Sequence, residues 1–403
     1  MIAPPWRPTN RETAIDKYTA MRAGKAALES GDALAARRHF ESILAAGLGD
    51  APACIMLAIA CQKLGDMEAV QQAIDTALSH DSRNIHALLM KAERLAATGN
   101  TRVAAQFYGA AVALASQVKD LPPMLVEFVR HAARARDHIG EHFEAHLRAR
   151  LGAADGAPLA ASPRFDRSVA MLAGKGQVYA QQPRDYYFPE LPQIQFYPRD
   201  AASWLDPVEA AADEIRAELS AVLKTDRGFV PRVQDRRDLP HGDTHGLLDN
   251  RDWSAFYLCR DGATVEENAA RCPATMAALA NAPLPSIMGR EPSVLFSVLR
   301  PGAHVAAHHG RLNAMLTCQL PLEAPAGSSL RVGDDQREWR HAKAWAFDDS
   351  VEHEWRNSGS GILAVLSFDV WRPEISEQER RAVTALLEAM DAYGPGPRVE
   401  WTA

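Results

Sequence analysis

The chain has 403 residues, with 44 Lys and Arg against 51 Asp and Glu for a net charge of −7, and is 47% hydrophobic and 24% charged. That balance excludes a general attraction to nucleic acid or to an anionic membrane, and the length allows more than one core, so two domains are expected. No run approaches the roughly 20 apolar residues of a membrane helix, the start Met1-Ile-Ala-Pro-Pro-Trp-Arg lacks a signal-peptide pattern, and the five cysteines form no CxxC pair. A cytoplasmic protein with reduced, packed thiols is the expectation, with neither nucleic acid nor membrane as a partner.

From about residue 11 to 150 the sequence is rich in Ala and Leu and breaks at Gly31-Asp32, Gly65-Asp66 and Gly99-Asn100, a spacing of 34 residues each time. After each glycine, small or apolar residues recur at the fifth position (Ala36, Val70, Ala104), the ninth (Phe40, Ile74, Tyr108) and the thirteenth (Leu44, Leu78, Val112). Those offsets predict an apolar stripe on the second helix of each repeat. A 34-residue helix-turn-helix period resembles the tetratricopeptide repeat, an α-helical solenoid in which neighbouring pairs bury each other's stripes. Such a surface presents itself to a peptide or protein, or serves as a packing arm.

Residues 151–180 begin with Gly152-Ala-Ala-Asp-Gly-Ala-Pro-Leu-Ala-Ala-Ser162 and read as a linker, placing the second domain at 181–403. There the pattern turns to short aromatic and β-branched runs: Ile194 to Tyr197, Ala255 to Leu258, Ser293 to Leu299, Ala314 to Leu320, Ser329 to Val332, Ala344 to Phe347 and Ile362 to Val370. Gly, Pro and Asp turns separate them, as in a sandwich or barrel. Helical patterns frame the runs at Pro207 to Leu223 and Glu377 to Tyr393, so a jelly-roll core with flanking helices is expected.

The densest histidine cluster is His304-Val-Ala-Ala-His308-His309-Gly310, and His353 follows 45 residues after His308 in Phe347-Asp-Asp-Ser-Val-Glu-His353-Glu354. In an extended segment His304, Ala306, His308 and Gly310 share one face and His309 takes the other, with His304 beside the site rather than in it. Two imidazoles on neighbouring strands suit a divalent first-row metal, whereas histidines at such spacing also occur as hydrogen-bonded core or surface residues. The usual carboxylate two residues after the first histidine is absent, because that place is Gly310. His241 and His245 sit in a Pro- and Gly-rich loop at no ligand spacing and read as surface.

Several segments together, in order and spacing from Tyr179 to Glu374, resemble the aspartyl/asparaginyl β-hydroxylase family. They are Tyr179-Ala-Gln-Gln-Pro183, Leu191 to Tyr197, Trp253-Ser-Ala-Phe256, Pro301-Gly302, His308-His-Gly310 with Asn313, Leu330-Arg-Val-Gly333, Phe347 to Glu354 and Phe368-Asp-Val-Trp-Arg-Pro-Glu374. The resemblance implies a double-stranded β-helix of the jelly-roll or cupin-like kind, an oxygenase using iron(II) and 2-oxoglutarate, and a glycine where the carboxylate ligand would stand. It further implies His308 and His353 as metal ligands, Asp349 beside them holding metal-bound water, and Ser297 lining the 2-oxoglutarate pocket. Oxidative decarboxylation of 2-oxoglutarate would then be coupled to hydroxylation of a side chain in a peptide, protein or amino-acid-derived substrate, held in part by the helical repeats.

Three positions depart from the family pattern: Met315 and Leu363 replace arginines and Gln319 replaces a histidine. The arginine expected at 363 grips the distal carboxylate of 2-oxoglutarate, and leucine offers no charge to it. Gln319 retains a hydrogen-bonding amide, and Arg331 is expected as a substitute cation in the cofactor pocket, ahead of Arg300, Arg311 and Arg340. Fewer cations suggest a less acidic substrate. Three readings follow: a 2-oxoglutarate hydroxylase, an iron oxygenase with another cosubstrate, and an inactive scaffold carried by the repeats.

Overall fold

The 34-residue period is written into the helix starts. In the computed structural model, which describes residues 16–152, 162–225, 227–234 and 246–393, the chain divides into units Met1–Gly176 and Gln177–Ala403. The first unit contains α1 (Lys17–Glu29), α2 (Ala33–Ala45), α3 (Ala51–Lys63), α4 (Met67–His80), α5 (Ile85–Ala97), α6 (Thr101–Ala115), α7 (Pro123–Gly152) and α8 (Pro163–Leu172). Odd helices of the three pairs begin at 17, 51 and 85 and even ones at 33, 67 and 101. Side chains of Asp16, Asp50 and Asn84 cap the first helix of each pair, and Asp32 and Asp66 cap two of the second helices. Each accepts from a backbone N–H that the helix leaves unpaired.

Gly31, Gly65 and Gly99 take φ of +86°, +77° and +82°, and a Cβ placed on any of them would meet nothing within 4 Å, so backbone conformation alone requires glycine there. The fifth and ninth stripe positions are buried as expected, but the thirteenth (Leu44, Leu78, Val112) is half-buried and the twelfth (Ile43, Ala77, Ala111) takes its place. Steps of four and then three residues keep a stripe on one face of a 3.6-residue helix, whereas two steps of four rotate it towards the edge. The expected linker is also partly helical: α8 lies within 151–180, and the boundary between units falls after Gly176.

The second unit is built on two antiparallel sheets. The larger contains β1 (Val230–Pro231), β2 (Trp253–Arg260), β3 (Ala263–Thr264), β4 (Val294–Leu299), β6 (Met315–Glu323), β9 (Trp345–Phe347) and β11 (Leu363–Trp371), in the order β1-β2-β4-β11-β6-β9 with β3 beside β2. The smaller runs β5 (His304–His308), β10 (His353–Asn357), β7 (Ser328–Val332), β8 (Asp335–Glu338). From β4 to β11 the chain crosses repeatedly between the sheets, which is the jelly-roll path of a double-stranded β-helix.

Strand alternation then divides the core in two. Phe256, Phe296, Leu320 and Leu366 point outward and pack on Leu205 and Val208 of α9 (Leu205–Ala210) and on Ile215 and Leu219 of α10 (Ala212–Thr225). Trp253, Leu299, Leu363 and Val365 point between the sheets and meet Val305, Leu330 and Trp355. Helices α11 (Glu266–Ala269), α12 (Pro273–Leu279) and α13 (Glu377–Tyr393) complete the flanks. Ile194 to Tyr197, expected as a strand, makes only a single bridge between Phe196 and Phe347. The short polar strands β8 and β10 were not expected from apolar runs; pairing with β7 on both sides creates them. Among the described residues no helix is long and apolar enough to cross a membrane. All five cysteines are buried free thiols.

Candidate metal centre

His308 ends β5 and His353 opens β10, and the two are direct cross-strand partners with ring centroids 4.1 Å apart. Their alignment depends on a bulge: His353 pairs with His308 but Trp355 pairs with Val305, so three steps along β5 face two along β10. The bulge corrects the expected parity. Val305 turns into the core in place of His304, which lies on the exposed face with its ring 3.1 Å from the Glu354 carboxylate. His309, expected to face away, is beyond the end of β5 and lines the cavity beside His308. His241 and His245 lie outside the described residues.

Both buried imidazoles are held in the same tautomer. His308 Nδ1 is 2.9 Å from the Ala306 carbonyl and His353 Nδ1 is 3.0 Å from that of Val351. A carbonyl can only accept, so each Nδ1 carries the proton and each Nε2 carries the lone pair a metal requires. Burial pushes the His308 pKa well below its ordinary value, helped by the neighbouring His353, and pushes His353 down to about 4. Both rings are therefore neutral near pH 7. Among the described residues no group of three or more His, Cys, Asp or Glu side chains is placed to share a metal.

Gly310 explains how the carboxylate reaches the centre from elsewhere. A Cβ built on Gly310 would coincide with the carboxylate of Asp349, and the Gly310 N–H donates to the Asp349 carbonyl at 2.6 Å. Burial raises the Asp349 pKa well above the carboxylate range, Asp369 and Asp348 add to this, and Arg184 and Arg372 oppose it. Its turn is anchored from behind. Asp348 forms a fully buried ion pair with Arg372 and accepts from Gln181 Nε2 at 2.7 Å and from the Ser350 backbone N–H at 3.1 Å. The 181–188 segment is pinned across both loops by Gln182 N–H to Ser350 O, Arg184 N–H to Gly310 O, and Asn313, whose amide bonds Gln181 and Phe188. That pinning carries Arg184 into the cavity wall.

The cavity between the sheets has a volume of about 180 Å³, and His308, His353, Asp349, Ser297 and Gln319 all line it. Ser297 accepts from Trp253 Nε1 at 2.9 Å, and the buried Gln319 has an amide oxygen with no hydrogen-bond partner. Arg331 is not brought there. It sits on the outward side of β7, pairs with Glu352 and Glu354, and donates to the Gly333 carbonyl at 2.7 Å. Leu363 is 1% exposed within the apolar cluster of Leu299, Val365 and Trp355, so position 363 itself contributes no cation. Met315 packs with Ile287, Leu312 and Trp371.

Positive charge enters from other elements. Arg184, Arg232, Arg260, Arg290 and Arg311 line the cavity, Arg311 and Arg290 being held on Asp185. Half-buried Asp369, which accepts from Thr317 Oγ1 at 2.8 Å, and Glu291 face the same space, and desolvation raises both pKa values. Asp369 and Thr317 were legible, since they share the inward parity of Gln319 and a lone carboxylate in an apolar strand is unusual. Arg184 and Arg232 come from irregular segments without periodicity and had no signal of their own.

Comparison with known proteins agrees with this geometry. Residues 209–373 match the aspartyl/asparaginyl beta-hydroxylase family profile. The chain is 29% identical over 213 residues to aspartate beta-hydroxylase domain-containing protein 2 of Xenopus tropicalis, covering 51% of this chain and 55% of that protein. It is 31% identical over 189 residues to the aspartyl/asparaginyl beta-hydroxylase of Homo sapiens, covering 46% and 25%. It is also 31% identical over 173 residues to the ornithine lipid ester-linked acyl 2-hydroxylase of Rhizobium tropici, covering 42% and 58%. The chain thus spans little more than half the length of the first and third of these relatives and a quarter of the second. The profile match contains the whole of β2 to β11 with His308, Gly310, Asp349 and His353, so the likeness to the aspartyl/asparaginyl β-hydroxylase family is carried by this unit.

Proposed function

We propose that this protein is a non-haem iron(II)-dependent oxygenase of the β-hydroxylase type, which hydroxylates a side chain of a peptide, protein or amino-acid-derived substrate with 2-oxoglutarate and O2. The observation that carries the reading is the pair of neutral, buried imidazoles presenting Nε2, with the Asp349 carboxylate filling the space over Gly310. His308 and His353 would hold the iron, and two protein ligands leave room for a chelating 2-oxo acid, water and O2. When bound, iron supplies the coupled oxidation of the 2-oxo acid and of a substrate C–H bond by O2. Asp349, its pKa raised by burial, holds a proton or accepts a hydrogen bond from water beside the ligands. Ser297, Thr317 and Gln319 orient polar groups from the opposite sheet, and Trp253, Phe347 and Trp355 exclude water.

The arginines lining the cavity favour an acidic side chain as substrate, and the helical repeats offer a surface for the peptide that carries it. One relative is named for an acyl chain of an ornithine lipid and another for aspartyl and asparaginyl residues, so the substrate is read from this cavity rather than from the relatives. A second reading, in which the cosubstrate is a 2-oxo acid with a single carboxylate, is favoured by the apolar surroundings of Leu363. Iron-loaded protein incubated with O2 and either 2-oxoglutarate or 2-oxobutyrate decides between them. Succinate formation with the first supports the hydroxylase, decarboxylation of only the second supports the alternative, and neither reaction with bound iron overturns both. A mass gain of one oxygen atom in acidic peptides identifies the substrate.

A further inference from the structure

We infer that the cavity receives the distal carboxylate of a dicarboxylic 2-oxo acid on Arg232, Trp355 and Ser297, in place of a cation on β11. The inference rests on the proposed function and specifies how that site recognises its cosubstrate. Three donors of different origin gather around one indole, that of Trp253. Arg232 places its guanidinium carbon 5.6 Å from the Trp253 ring centroid, and Trp355 has its ring centroid 5.9 Å from the same ring. Ser297 accepts the Trp253 Nε1–H at 2.9 Å, which turns its own hydroxyl proton to another acceptor.

Trp355 is the most telling of the three. It is 6% exposed, lines the cavity, and its Nε1–H has no hydrogen-bond partner. A buried indole N–H without an acceptor is unusual in a folded protein, and an acceptor seated in the cavity would complete it. Trp355 follows His353 by two residues on β10, and the Trp253 ring centroid is 6.5 Å from that of His308. The indole that these three donors share is thus a direct neighbour of His308, and all of them line the same cavity as the two histidines.

An anion is the ligand that fits. The group comprises a permanent cation with an indole N–H and a hydroxyl, all donors, and a guanidinium with two such neighbours suits a planar carboxylate. Arg232 follows β1, lines the cavity and also reaches Tyr257 Oη at 3.4 Å, so it acts on the cavity from the β1 end of the sheet.

Binding of 2-oxoglutarate and of 2-oxobutyrate, which has the same 2-oxo acid end but no distal carboxylate, is measured by calorimetry on the full chain with and without manganese(II), a redox-silent probe of the metal site. A preference of at least tenfold for 2-oxoglutarate is expected, falling to near unity in Arg232→Gln and severalfold in Trp355→Phe, with 2-oxobutyrate affinity unchanged. Equal binding of both acids to the unaltered protein, or a preference that survives Arg232→Gln, overturns the inference. Metal dependence of binding is a separate readout: if both acids bind without regard to manganese, the metal-centre reading fails while the preference still judges the carboxylate site. Unchanged far-ultraviolet circular dichroism and a cooperative unfolding transition in both variants show that the fold is retained.

Discussion

Replacing Gly310 by alanine introduces a methyl group where the Asp349 carboxylate now lies, with every carboxylate atom far inside the normal contact distance of about 3.5 Å. Neither partner can give way freely. Asp349 is half-buried on a turn anchored by Asp348 and Arg372, and the Gly310 N–H is bonded to the Asp349 carbonyl at 2.6 Å. Overpacking of this kind costs about 1–3 kcal/mol. For a unit of this size that lowers Tm by about 3–10 °C, and it displaces the carboxyl from the two imidazoles. Asp349→Ala alone removes a carboxyl whose ionised form burial disfavours, so its effect on stability is small. The double variant places the new methyl in the vacated space and is expected to be more stable than Gly310→Ala, with a coupling energy of about 1–2 kcal/mol. Calorimetric unfolding of the four proteins, reading the transition of the β-unit, measures this coupling. Strict additivity would refute the claim that Asp349 substitutes in space for a side chain at position 310.

Leu363→Arg buries a charge among Leu299, Val365 and Trp355, and a loss of about 3 kcal/mol or more of β-unit stability is expected by denaturant unfolding, partly restored by a dicarboxylic 2-oxo acid. Arg372→Met strands the buried Asp348 carboxylate, and a destabilisation of about 3–5 kcal/mol should appear in the same assay, with Asp348→Asn in the double variant recovering part of it. His353 has a folded pKa near 4 against 6.5 when unfolded, so its contribution is full above 6.5 and lost as pH falls towards 4, about 3 kcal/mol in the metal-free protein. His353→Asn is expected to flatten stability against pH across that window, and an unchanged slope would show that the ring is not buried neutral. Gly65→Ala meets no atom within 4 Å but must hold φ near +77°, so a loss of about 1 kcal/mol confined to the helical unit is expected by hydrogen exchange.

The helical half was legible because its signal is periodic: a glycine every 34 residues, and capping Asp or Asn residues at the same interval, leave few alternatives. What escaped was the exact stripe, since Leu44 and Ile43 differ by one step of helical rotation that composition does not resolve. In the β-unit the long apolar strands β4, β6 and β11 announced themselves, whereas β8 and β10 exist through pairing with β7 and show no apolar run. Pairing of His308 with His353 could be anticipated from spacing and resemblance, but the bulge that expels His304 could not, because an extra residue in one strand leaves no mark on either sequence. Arg331 read as a pocket cation because Leu330-Arg-Val-Gly333 matches a segment of the family pattern; parity turned it outward onto Glu352 and Glu354. Arg184 and Arg232 reach the cavity from irregular segments, and only three-dimensional contact discloses them.

If His308 and His353 form a two-histidine iron centre, anaerobic iron(II) titration of the metal-free protein will reveal it. One iron per chain is expected for the unaltered protein, with binding lost in His308→Ala and in His353→Ala and retained in His304→Ala, whose ring faces outward. Failure of the unaltered protein to bind iron, or stoichiometric binding that persists when either buried histidine is removed, would contradict the account.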